Sequence, residues 1–265
     1  LGVQVGQEPS VFTELHQPLC RSLRNFVDVA ARVIDRADNV FNPNGNKIAE
    51  LELLSGGGEV ALGRELGTFG EIRAGILREA GTISMKVGAA DAPDVDFNTG
   101  EAFAQLSIDE RDDVTFPRSG ENLRLRAGAG LEELGSDLAY EQGIVEAGFA
   151  VSHGRWTGLI EGLFGTTRDS DAPYQRLFRL GGFTRLSGLE QDELYGQHAA
   201  LVAGLLYRRI AKLSVVPVYA GVSVEYGNVF QDRSEITLDS GRPSGSMFLG
   251  LDTHVGPIYV GFGAA

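Results

Sequence analysis

The chain has 265 residues, with 23 Lys+Arg against 36 Asp+Glu, a formal net charge of −13 and a pI near 4.8. So acidic a chain repels the phosphates of a nucleic-acid partner, which excludes that class of function, while 43 % hydrophobic and 22 % charged residues exclude a disordered tail. The lone Cys20 rules out an internal disulfide framework and a cysteine-based zinc site, and the stretches free of charge, Gln197–Tyr207 and Thr253–Ala265, are too short to span a membrane as a helix.

Period-two alternation dominates, and strands are predicted at about 1–5, 10–18, 24–38, 47–63, 70–87, 100–110, 120–131, 138–152, 155–165, 197–211, 215–230, 245–253 and 257–265. In the third run Val27, Val29, Ala31 and Val33 alternate with Asp28, Ala30 and Arg32. Gly56-Gly57-Gly58 interrupts the fourth and is expected to be a bulge or sharp bend. In the sixth, Ala102, Ala104, Leu106 and Ile108 alternate with Phe103, Gln105, Ser107 and Asp109; in the seventh, Leu123, Leu125, Ala127 and Ala129 alternate with Arg124, Arg126 and Gly128. In the eleventh, Val216, Val218, Ala220, Val222 and Val224 are expected to face lipid, with Tyr219, Ser223 and Glu225 facing inward.

Several runs exceed the usual strand length, and short turns alternate with long polar connections at 39–46, 88–99, 166–196 and 231–244. That is the habit of an outer-membrane barrel. A soluble sandwich with a core of Ala, Val and Gly would bury too little apolar area. The fold class is therefore read as all-β, an antiparallel transmembrane β-barrel. The histidines His16, His153, His198 and His254 lack metal-ligand spacing. Ser187 and Ser244 lack the first glycine of a nucleophile elbow. Glu50 and Glu52 are read as a solvated lumen face rather than a catalytic pair. No metal, cofactor or catalytic residue is assigned.

Three segments carry a resemblance. Phe116-Pro117-Arg118-Ser119-Gly120 resembles the FP-x-x-G hairpin of the outer-membrane assembly and bacterial surface antigen barrel superfamily (BamA-like); proline ends one ladder and glycine permits the positive φ of the return. The connection Phe178–Leu189, with Gly181, Gly182, Phe183, Arg185, Leu186, Ser187, Gly188 and Leu189, resembles the sixth loop of that superfamily, which folds into the lumen. Ser187 stands where the family has arginine, and the Leu-Gly-Gly-Phe…Leu-Ser-Gly form is similar to the patatin-linked branch of type V secretion. Ser223, Glu225 and Gly227 resemble the partner-strand pattern F-x-D-x-G, with Glu for Asp and Ser for Phe. Gly63–Gly67 and Phe248–Tyr259 also look like that branch.

The resemblance implies that the chain is a fragment, residues 1–265, holding strands three to fifteen of sixteen in an open or incomplete barrel, with POTRA and patatin-like domains upstream. It implies an outer-membrane location in a Gram-negative bacterium and a role anchoring or exporting an N-terminal patatin-like phospholipase passenger in cis. Outer-membrane lipid and the barrel assembly machinery are the other implied partners. The alternatives are a BamA- or TamA-like assembly factor and a soluble β-sandwich binding module. The segment Thr184–Leu189 is expected to touch the strand bearing Glu225, through the Ser187 hydroxyl or through an Arg185–Glu225 pair, or else to cover the mouth of the barrel.

Overall fold

The computed structural model describes every residue except Val5, Gln7, Cys20, Ser22, Leu23, 42–45, 89–92, Ser214, Val215, His254 and Val255. Cys20 and His254, weighed above, lie outside the described residues. The strands are β1 (Gly2–Gln4), β2 (Ser10–Pro18), β3 (Asn25–Phe41), β4 (Lys47–Glu65), β5 (Gly70–Val87), β6 (Val95–Asp109), β7 (Gly120–Gly130), β8 (Tyr140–His153), β9 (Trp156–Arg168), β10 (Phe178–Leu180), β11 (Leu194–Gly196), β12 (His198–Leu213), β13 (Val216–Phe230), β14 (Arg242–Thr253) and β15 (Gly256–Ala264). One sheet takes β1 to β9 and then β12 to β15 in chain order, an antiparallel meander. Its order begins at β1 and ends at β15, which do not pair with each other among the described residues. Within the long connection, β10 and β11 form a separate small hairpin that the alternation did not reveal.

Two further expectations are corrected. The three glycines make no bulge: Val33, Arg32 and Ala31 pair with Gly56, Gly57 and Gly58 in unbroken register. Close approach accounts for Gly57, where a Cβ would lie 2.6 Å from the Arg78 carbonyl oxygen. Glu52, placed above on the lumen face, shares the parity of exposed Leu54 rather than that of buried Leu53 and Ser55. It pairs with Lys86, and Glu50 pairs with Lys47 at 2.6 Å.

The chain divides into two compact units. The first is Leu1–Leu106, Arg126–Gly143 and Thr167–Arg176; the second is Ser107–Leu125, Ile144–Thr166 and Leu177–Ala265. In the first, the buried face carries Asp28, Ser55, Thr99, Glu101 and Gln105 beside Phe26, Phe97 and Phe103. Its other face leaves Val33, Leu54, Val60, Leu62, Ile72 and Ile76 bare. In the second, Tyr219, Ser223 and Glu225 are buried while Val222 and Val224 are 43 % and 72 % exposed. Val202, Leu206, Met247, Val260 and Phe262 are bare as well. A soluble sandwich buries its apolar face and wets its polar one. Here the assignment is inverted.

Candidate functional site

In the second unit the segment Leu177–Gly196 lies on the covered face. Gly181 and Gly182, at φ 133° and 95°, turn the chain after β10. Leu186 holds φ 79° and is fully buried with Leu180 and Ala199; Leu163, Phe178, Leu189 and Leu194 pack around them. A leucine in that left-handed region costs about 1–3 kcal/mol and persists only where its surroundings fix it; the apolar cluster does so here.

This places Ser187 against β13. Its N–H donates to Glu225 Oε2 at 2.5 Å and its hydroxyl to Oε1 at 2.6 Å. Ser223 donates to the same Oε1 at 2.5 Å and, its hydrogen so used, accepts from the Ser246 hydroxyl at 2.7 Å. Glu225 is 1 % exposed, so neutral donors satisfy a buried acid. The next residue, Gly188, donates its N–H to Ser244 Oγ at 2.8 Å, and that hydroxyl donates to the Ala264 carbonyl of β15 at 3.0 Å. Gly227 is buried against β12, where a Cβ would lie 2.5 Å from the Ala200 carbonyl oxygen. Arg185 does not pair with Glu225, which corrects that version of the expectation. It meets Glu146 at 3.3 Å, and Arg124 reaches the same carboxylate at 3.2 Å. The physical reason is the turn: Leu186, in the left-handed region, breaks the alternation that would put residues 185 and 187 on one side, so Ser187 faces β13 while the exposed Arg185 side chain leaves toward Glu146 of β8. Together with Arg111, Asn122 and Glu161 these charges line a polar cavity of about 410 Å³.

The hairpin residues reach the same covered face. Asp113 Oδ1 accepts the Thr115 and Phe116 N–H groups at 2.7 and 2.8 Å, and Asp112 Oδ1 accepts those of Arg118 and Ser119 at 2.7 and 3.0 Å. Burial by itself would raise the Asp112 carboxyl, but these N–H groups and the Arg118 guanidinium hold it below its ordinary value. Gly120 has φ 102° and lets the chain return against Glu110. The turn drives Phe116 onto Tyr219, stacked at 4.2 Å, with Tyr259 at 5.4 Å, and Tyr207 donates its hydroxyl hydrogen to the Pro117 carbonyl. Phe183 of the loop joins from the other side, 4.7 Å from Tyr259 and 5.1 Å from Phe248. The hairpin, loop and partner-strand motifs therefore meet on one surface.

In the first unit Arg176 reaches Glu79 at 3.2 Å and Glu101 at 3.8 Å, and Gln175 donates to Thr99 at 3.1 Å. Glu101 also takes Arg126 at 2.7 Å and the Tyr140 hydroxyl at 3.1 Å. Sequence reasoning singled out neither Arg176, Glu79 and Glu101 nor Glu146. The signal was present in part, because Glu101 has the parity of Phe103 and Gln105.

No family model matches the sequence, and no curated protein matches it. Solved structures do. BamA from Haemophilus ducreyi lacking POTRA domains 1-3 superposes with a TM-score of 0.76 and 12 % identity, over 97 % of this chain and 58 % of that one. CdiB from Escherichia coli gives 0.69 and 13 %, over 97 % and 49 %. The chain has the fold of the BamA and CdiB barrels. It spans 58 % and 49 % of their lengths. In that fold the covered polar face is the interior and the bare apolar face the exterior, so the sandwich alternative falls.

Proposed function

We propose that this chain is part of an outer-membrane barrel of a Gram-negative bacterium that assembles or translocates other polypeptides. The observation that carries the reading is the inverted sheet. The bare side is apolar, as a lipid boundary requires, and the covered side is polar and holds a folded-in loop. The likeness to BamA and CdiB supports assembly or translocation over the anchoring of a patatin-like passenger, for which neither neighbour gives support. Its partners would be outer-membrane lipid, an unfolded client polypeptide and the machinery that inserts barrels.

The experiment is reconstitution of the longest natural polypeptide containing this chain in lipid vesicles, followed by addition of a urea-denatured outer-membrane barrel. Faster insertion of that client than into empty vesicles is expected. Unchanged insertion, together with phospholipase activity from the same polypeptide, would sink the assembly reading and restore the passenger one.

A further inference from the structure

We propose that the bare face of the second unit binds one anionic glycerophospholipid, its phosphate at Arg208 and an acyl chain in the adjoining glycine-floored groove. The inference rests on the membrane reading above and adds a specific ligand to it.

The groove has a volume of about 510 Å³ and crosses β8, β9, β12 and β13 between Phe149, Val151, Ile160, Leu206, Val222 and Val224. Two glycines make its floor. A Cβ on Gly158 would meet nothing within 4 Å, and one on Gly204 would meet only the Val224 carbonyl oxygen, at 4.0 Å. Neither glycine is demanded by backbone packing, and neither has a positive φ. Their effect is to leave a channel on a face that is otherwise a wall of β-branched and leucine side chains.

The register continues the groove to a cation. Leu206 pairs with Gly158 and, two residues on, Arg208 pairs with Trp156. Two residues of strand are about 7 Å on the same face. The Arg208 guanidinium sits 5.5 Å from the Trp156 ring centroid, and among the described residues it forms no ion pair. The neighbouring Arg155, in the β8–β9 turn, forms none either. In a chain of net charge −13, two cations without carboxylate partners at one strand end make a local positive patch. A tryptophan there belongs at the boundary between acyl chains and headgroups, and a guanidinium beside it matches phosphate through charge-assisted, bidentate hydrogen bonds. The patch thus offers phosphate recognition at the place where the apolar channel begins.

The test is native mass spectrometry of the full chain released from detergent micelles doped with equal phosphatidylglycerol and phosphatidylcholine. One phosphatidylglycerol per chain is expected, retained about tenfold over phosphatidylcholine. Arg208→Gln should erase the preference. Gly204→Leu and Gly158→Leu should cut retention of both lipids about tenfold, and because their new side chains meet open space, folding should survive. Equal retention of the two lipids by the unaltered chain, or undiminished phosphatidylglycerol in the variants, overturns the site. Flotation with vesicles separates the two levels. A chain that floats without lipid preference loses only this site, whereas a chain that stays in buffer loses the membrane reading and this site with it.

Discussion

The connection between β9 and β12 is anchored twice, and the two anchors use different chemistry. In the first unit Arg176 meets Glu79 and Glu101 as ion pairs at 3.2 and 3.8 Å. In the second, Ser187 meets Glu225 with an N–H and a hydroxyl at 2.5 and 2.6 Å. Charge attraction falls off slowly with distance, so a guanidinium still holds a carboxylate at nearly 4 Å. A hydrogen bond from an uncharged donor weakens steeply with stretch and bend. The first anchor is therefore tolerant and the second exacting, which is consistent with the tight apolar packing of Leu186 beside the second alone.

The largest expected effect lies at the charged anchor. Glu101→Leu leaves Arg126 stranded over the Phe103 ring, 4.0 Å from its centroid, without its carboxylate. Breaking a buried pair from one side costs about 3–5 kcal/mol. Urea unfolding in detergent should show that loss, with hydrogen exchange rising around Arg176 and not around Leu186. Equal loosening at both places would mean that the two anchors act as one.

Glu225→Ala comes next. It leaves the Ser187 N–H and hydroxyl without their acceptor, at about 1–3 kcal/mol for a buried group so orphaned. Exchange should rise at Ser187 and Gly188 while Arg176 stays protected. A Ser187→Ala and Glu225→Ala double-mutant cycle should give a coupling of about 1 kcal/mol for the hydroxyl bond, and zero coupling would leave the Ser187 N–H and apolar packing as the whole of the second anchor.

The smallest effect concerns the other acid served by neutral donors. Asp112 is held below its ordinary value in the folded chain, so its contribution is complete above the unfolded carboxyl value of about 3.9 and is lost as pH falls through the lower folded value. The Arg118 and Ser119 amides should exchange faster at pH 3 than at pH 6 once intrinsic rates are divided out. Asp112→Asn should flatten that difference. A pH response unchanged in the variant would assign it to another group.

The alternation made the sheet legible because side-chain parity is a local property. Val222 and Val224 against Ser223 and Glu225 state both faces of β13 directly. Strand ends were less legible: β6 begins at Val95 rather than near residue 100, since Asn98 is fixed by Asp137 from a later turn, its N–H donating at 2.6 Å. Partner choice was not legible at all. Arg176 and Glu79 stand 97 positions apart, and no spacing rule joins them. The resemblance directed attention to the loop tip, but the residue there is Ser187, and whether Arg185 would replace the missing cation depended on which side of a turn its side chain leaves.

Ser244 has a consequence for the order in which the chain assembles. Its single hydroxyl accepts from Gly188 of the loop and donates to Ala264 of β15. The Gly188 and Gly263 positions are so close to Ala265 and Ser187, respectively, that a side chain at either would collide with backbone. The loop tip cannot settle while β15 is misregistered, and β15 cannot zip to its end over a misplaced tip. Two segments separated by some seventy-five residues therefore reach their final places only together, and the loop-closure cost of bringing them into contact grows with that separation.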